Sequence, residues 1–178
     1  MNTYTKIHYI VVYHLTLFFF FITTIYPTII YDPDVEYQIY KKIYPSCKYE
    51  TYLLVRKYSK IYNINIAILL SLIKEESNFN PKAVSCTGAI GLMQVMPIHV
   101  VSTGENLFDE DVNIRYGTRY FATCLKVAKG DYAEAVRMYN AGIYSNRATY
   151  KNWAYVRRFE SNLQKDLKEY EKVFWSIR

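Results

Sequence analysis

The amino-acid sequence predicts an all-α fold, on three observations. Polar capping residues stand ahead of apolar stretches with helical spacing, no strand-like alternation of useful length or internal repeat occurs, and all six glycines fall between Gly88 and Gly142. The elements follow in order. Ser46 can cap a helix that carries Leu54, Tyr58 and Ile61 on one face, and Asn65 can cap a second that runs to Phe79, where Asn80-Pro81 stops it. The glycine window then holds a loop with Gly88 and Gly91, a short helix ended by Pro97, a helix from about Val112 to Ala128 and another from about Tyr132 to Tyr139. The stretch from about Lys151 to Phe174 reads as a long polar and aromatic helix.

Ahead of these helices the chain changes character. After a short segment, residues 1–8, the run Tyr9 to Ile30 contains no Asp, Glu, Lys or Arg and is centred on Phe18 to Phe21. As a helix it would span about 33 Å, enough for a bilayer core. The first Ala is Ala67 and the first Gly is Gly88, so no small-residue cleavage site follows the run. An uncleaved transmembrane signal anchor is therefore favoured over a removed signal peptide, which would release the protein after export. Lys6 precedes the run and Asp32, Asp34 and Glu36 follow it, which places the amino terminus in the cytoplasm and the domain outside. Residues 31–45, with Pro33 and Pro45 and no sustained period, read as a linker; residues 46–178 read as the domain.

Composition narrows the function classes. A length of 178 residues fits one domain, and 51% hydrophobic with 21% charged residues excludes general disorder. Lys6 is the one basic residue before position 31, which leaves 21 basic against 16 acidic groups, a net of +5. That field suits an anionic polymer or membrane face, whereas nucleic acid is not expected because Lys/Arg runs are lacking. The 20 tyrosines read mainly as compositional bias. His8, His14 and His99 are scattered, and Cys47, Cys86 and Cys124 form no C-x-x-C, so no metal and no other cofactor is expected.

One carboxyl group stands out on the helix that Asn65 caps. With 100° per residue, Leu69, Leu70 and Ile73 lie within about 60° of Ile66; Glu76 falls about 60° from the stripe centre and Glu75 about 160° away. Glu76 is thus placed at the edge of the buried face and Glu75 toward solvent. A carboxyl against apolar walls favours its neutral form, the state a general acid needs. From the wheel alone an ordinary helix-end carboxylate, bonded to Ser77 or backbone, is the commoner case.

The residues that follow Glu76 tip that balance. Glu76-Ser77-Asn78-Phe79-Asn80-Pro81, then Gly88-Ala89-Ile90-Gly91-Leu92-Met93-Gln94-Val95-Met96-Pro97, Asn113-Ile114-Arg115-Tyr116-Gly117, Ala135-Val136-Arg137-Met138-Tyr139-Asn140-Ala141-Gly142 and Tyr155-Val156 form an ordered series across roughly residues 50 to 160. The series resembles the family 1 lytic transglycosylases, the soluble lytic transglycosylase (SLT) domain with a lysozyme-like fold.

The resemblance implies cleavage of the β-1,4 bond between N-acetylmuramic acid and N-acetylglucosamine in peptidoglycan, closing the product to a 1,6-anhydromuramoyl end without water. Glu76 would act as acid and then as base, and Gln94, Met93, Tyr139, Asn140, Tyr155 and Ser77 would bind substrate or position the site. Met93 fits ordinary core packing nearly as well, and Tyr144 and Tyr150 stand near enough to compete with Tyr155. Cys86 and Cys124 occupy positions where packing or variable residues are expected, and either pair or stay free. The expected partners are glycan strands and, through the apolar run, a membrane. By analogy, the small size points to local wall opening for a secretion or conjugation machine, with the domain on the periplasmic side of a bacterial inner membrane. Two other functions stay open: a hydrolase of the same bond, and a non-catalytic wall-binding assembly subunit.

Overall fold

The computed structural model describes residues 32–145 and 150–176. The transmembrane anchor expected at residues 9–30 lies outside the described residues, among which no helix is long and apolar enough to cross a membrane. The described chain is helical, with no strand beyond the isolated bridges Val84 to Ile90 and Ile90 to Val95.

The first element corrects the linker expectation. Pro33–Ile43 is a helix, α1, with Pro33 in its first turn and the Asp32 side chain accepting from the Asp34 N–H at 2.9 Å. Its buried face is Glu36, Ile39 and Tyr40, and it packs on the last helix, where Ile39 meets Val173 and Phe174. Glu36 can be buried because Arg56 Nε lies 3.0 Å and the Tyr52 hydroxyl 2.6 Å from its Oε2. A face of tyrosine and a paired carboxylate carries no apolar period, which is why sequence patterning passes over it.

Helix α2, Tyr49–Tyr62, begins after Lys48 rather than at Ser46 and has no side-chain cap. It buries Thr51, Tyr52, Val55, Tyr58 and Ser59, so Ile61, at 61% exposure, is not on the inner face. Helix α3, Ile66–Ser77, is capped by Asn65 as expected, the side chain accepting from the Ala67 N–H at 2.9 Å. Every residue from Ile66 to Ile73 is buried, so this short helix is surrounded along that length rather than faced on one side. It stops at Ser77 because Asn78 and Phe79 both take left-handed backbone angles.

Residues 78–109 form the glycine-containing loop. The short helix expected before Pro97 is instead a turn through Gly91 and Gln94, both at positive φ, and Pro97 opens a 3-10 turn, Pro97–His99. Helix α4, Glu110–Val127, starts from the Asp109 cap, and α5, Tyr132–Ala141, from the Asp131 cap. Glu110 and Asp111, in the first turn of α4, tie it to α2: Thr51 donates to Glu110 at 2.5 Å, and Lys57 and Tyr58 to Asp111 at 2.9 Å each. Helix α6, Tyr150–Ser176, packs against α1, α3 and α5, while α4 packs against α2 and α5. A buried network fixes α3 to its surroundings: the Tyr44 hydroxyl bonds Ser71 at 2.9 Å and Asp166 at 3.0 Å, and Lys74 donates to Asp166 at 3.0 Å. The three cysteines are free thiols, Cys86 exposed and Cys124 buried.

Candidate active site

Glu76 sits in the last turn of α3, where the helix leaves the core, and its Oε1 accepts a 2.5 Å hydrogen bond from the Tyr155 hydroxyl on α6. Burial raises its pKa from the ordinary 4.5 to about 7; the Tyr155 bond opposes the rise, Glu75 adds to it and Arg158 opposes it. The carboxyl is therefore largely protonated in mildly acidic solution. A donor pKa near neutrality is what proton transfer to a leaving oxygen calls for.

Glu75 is not where the helical wheel puts it. Its side chain is 7% exposed and accepts from Arg158 Nε at 2.6 Å and from the Asn162 amide. The wheel assumes one solvent-facing side, whereas α6 covers this side of α3. Ser77 acts on the loop: its hydroxyl lies 2.8 Å from the Leu92 carbonyl and 3.2 Å from that of Ile73.

The loop is held by side chains. Asn113, buried on α4, accepts from the Met93 N–H at 2.8 Å and donates to the carbonyls of Ile90 and Leu107, both at 2.8 Å. The Tyr139 hydroxyl donates to the Met93 carbonyl at 2.7 Å, so both backbone groups of Met93 are fixed. Two glycines make this approach possible. A Cβ on Gly91, at φ 77°, would stand 2.8 Å from Asn113 Cγ and 2.9 Å from the Leu107 carbonyl, and one on Gly117 would stand 2.5 Å from Met93 Cβ. Gly117→Ala is expected to displace Met93 and cost about 1–3 kcal/mol in urea unfolding, because the added Cβ would overlap the Met93 side chain.

Met93 is corrected accordingly. Its side chain has no exposure and packs against α4, with the Thr118 hydroxyl 3.6 Å from its sulfur, so it supports the site from the core and does not line a groove. Gln94 does line one. With Tyr139, Asn140, His99 and Tyr120 it borders a cleft of about 240 Å³. The Gln94 amide nitrogen donates to the Gly91 carbonyl at 3.0 Å, and Asn140 accepts from Asn152 at 3.1 Å. Glu76 is outside this cleft lining but close enough to Tyr139 for its charge to raise that phenol's pKa, after the larger effect of burial.

Of the tyrosines that could have met the carboxyl, Tyr155 does, Tyr144 is 95% exposed, and the Tyr150 side chain lies outside the described set. Sequence reasoning gave no role to Asn113, Arg158 or Asn162; for Asn113 the available signal was a polar residue on the inward face of a helix. Among the described residues no group of three His, Cys, Asp or Glu side chains is placed to hold a metal ion.

Comparison with known proteins fits this geometry. The chain is 40% identical over 81 residues to membrane-bound lytic murein transglycosylase C of Edwardsiella ictaluri, covering 39% of this chain and 23% of that protein. It is 33% identical over 116 residues to the protein of the same name from Actinobacillus pleuropneumoniae serotype 5b, covering 57% and 30%. It thus spans under a third of the length of these relatives. Among solved structures, the 70 kDa soluble lytic transglycosylase of Escherichia coli superposes with a TM-score of 0.54 at 24% identity, over 68% of this chain and 24% of that one, which shows a shared fold. The family described as Transglycosylase SLT domain matches residues 53–164, from α2 into α6 and across every side chain of this site, and to that family this chain belongs.

Proposed function

We propose that the chain is a peptidoglycan lytic transglycosylase acting on the β-1,4 bond between N-acetylmuramic acid and N-acetylglucosamine. The observation that carries this reading is Glu76, a carboxyl raised to about 7 and bonded to Tyr155, beside Tyr139 and the cleft it lines. Glu76 gives its proton to the glycosidic oxygen as the bond to the muramoyl C1 breaks. The carboxylate then takes the proton of the sugar's own O6 hydroxyl as O6 closes on C1, which restores the acid and consumes no water. An attacking oxygen tethered to the reacting ring needs no second carboxylate to hold a water. Glu75, the neighbouring carboxylate, is engaged by Arg158 and Asn162. Gln94 and Asn140 present amide groups suited to acetamido and hydroxyl groups of the glycan.

The names of these relatives, membrane-bound lytic murein transglycosylases, support the same substrate and a membrane location. The apolar run of residues 9–30 supports an uncleaved anchor that leaves the domain on the periplasmic side. Service to a secretion or conjugation machine belongs to the same proposal and rests on analogy alone.

Mass spectrometry of soluble products from purified peptidoglycan tests the reaction. Anhydromuropeptides are the expected result. Reducing muropeptides would make the protein a hydrolase, and retained glycan binding with no product would make it a binding subunit.

A further inference from the structure

Glu75 and Glu76 are consecutive on α3, yet both turn toward one face of α6. There they meet Tyr155, Arg158 and Asn162, which are spaced by three and four residues and so lie along one side of that helix. Glu76 takes the Tyr155 hydroxyl, while Glu75 takes Arg158 at 2.6 Å and the Asn162 amide. The Arg158 guanidinium in turn lies 5.4 Å from the Tyr155 ring centroid. The four side chains thus form a closed circuit, from Glu76 to Tyr155, across the ring to Arg158 and back through Glu75 to the neighbouring residue of the same helix. Its burial is uneven, since the Glu75 side chain is 7% exposed and that of Arg158 59%. A carboxylate so enclosed needs its cation and its amide donor.

We infer that Glu75 and Arg158 are positioning residues for the reaction: their ion pair locks α6 against the end of α3, so that Tyr155 meets Glu76, and it cancels the charge that either partner alone would impose on the catalytic carboxyl. This deepens the transglycosylase reading and rests on Glu76 as its acid. The ionisable groups that act on Glu76 are Glu75 on α3 and Tyr155 and Arg158 on α6, and Tyr139 on α5 feels the Glu76 charge in turn; none comes from the 78–109 loop. The two tyrosines are neutral in the working range, which leaves the Glu75 and Arg158 charges as the opposed pair. Glu75 pushes the Glu76 pKa up and Arg158 pushes it down.

The test is the pH at which kcat/KM for glycan cleavage falls to half on its alkaline side, where the acid loses its proton. Glu75→Gln leaves Arg158 uncancelled and is expected to move that midpoint down by about half a pH unit or more, roughly a threefold loss at fixed pH on that limb. Arg158→Gln leaves Glu75 uncancelled and moves the midpoint up by a similar amount. The double variant returns it near the wild-type value. Arg158→Lys keeps the charge but loses the planar guanidinium that sets Nε on Glu75, so it holds the midpoint while lowering kcat. If Glu75→Gln fails to fold, the two Arg158 variants still decide the matter, because that side chain is on the exposed side of the pair. Midpoints that stay fixed in Glu75→Gln and Arg158→Gln, with activity lost only in proportion to stability, would overturn the inference. Glu76→Gln, assayed alongside, separates the two levels: cleavage that survives it defeats the catalytic reading, whereas its abolition with unmoved midpoints defeats only the role of the pair.

Discussion

Replacing Glu76 by Gln is expected to lower the rate of peptidoglycan cleavage about a thousandfold or more while the protein stays folded. Gln fills the same volume and can still accept the Tyr155 hydroxyl bond, but it has no proton to give the glycosidic oxygen and cannot take one from O6. Glycan binding should persist, since Gln94 and Asn140 are untouched. The same substitution has a second readout in stability. The folded-state pKa of Glu76, about 7, lies above the ordinary 4.5, so the folded state holds this proton more tightly than the unfolded chain does. Its contribution to stability is fully present below about pH 4.5 and is lost as pH rises through 7, with a total near 3 kcal/mol on the order of 1.4 kcal/mol per unit. Urea unfolding at pH 5 and pH 8 should therefore show a loss in the wild type that Glu76→Gln lacks. A variant that keeps cleaving, or a wild type whose stability between those pH values matches the variant's, would remove Glu76 from the role of buried acid.

Asn113→Ala is expected to be the most damaging change outside the carboxyl. It strips partners from the Met93 N–H and from the carbonyls of Ile90 and Leu107, all at a residue that is 1% exposed. At about 1 kcal/mol for each bond the loss is about 3 kcal/mol, which lowers Tm by roughly 10 °C for a domain of this size. Cleavage should fall about a hundredfold even at temperatures where the variant is folded, because the Gly91 to Gln94 turn is no longer held against α4. Asn113→Asp would do no better. It keeps an acceptor for Met93 but aims a buried charge at two carbonyl oxygens. Differential scanning calorimetry together with a cleavage assay at 20 °C checks both parts; a Tm within a degree or two of wild type would show that the loop is held by other means.

The parts of the fold legible in the sequence are those whose ends are written locally. Asn65 caps the helix that follows, whereas Ser46 does not, and α3 ends at paired left-handed residues just ahead of Asn80-Pro81. Helix α1 was hidden because its inward face carries Glu36, whose partners Tyr52 and Arg56 come from α2. The true face of α2 was missed for a related reason: Tyr52 and Thr51 are buried in place of the apolar Ile61. At the site, Glu76 was readable from its helical angle and from the motif it opens, and Tyr155 from its motif. Glu75 and Asn113 were not, and for Met93 the sequence left groove lining and core packing both open. Their surroundings are set by α6, α4 and the loop between Ile90 and Leu107, so no window of consecutive residues contains the information.

The side-chain grip on the 78–109 loop divides it into segments of unequal tolerance to change. Ser77, Asn113 and Tyr139 seize the backbone at Ile90, Leu92, Met93 and Leu107. Outside those points the chain rises into exposed tips at Cys86-Thr87 and at Val101 to Gly104, where Gly88 and Gly104 face open space. Extra residues inserted at such tips add little closure entropy and break no gripped contact. They are therefore the natural places for a lineage, or an engineer, to graft new peptide onto this scaffold while the chemistry beneath stays as it was.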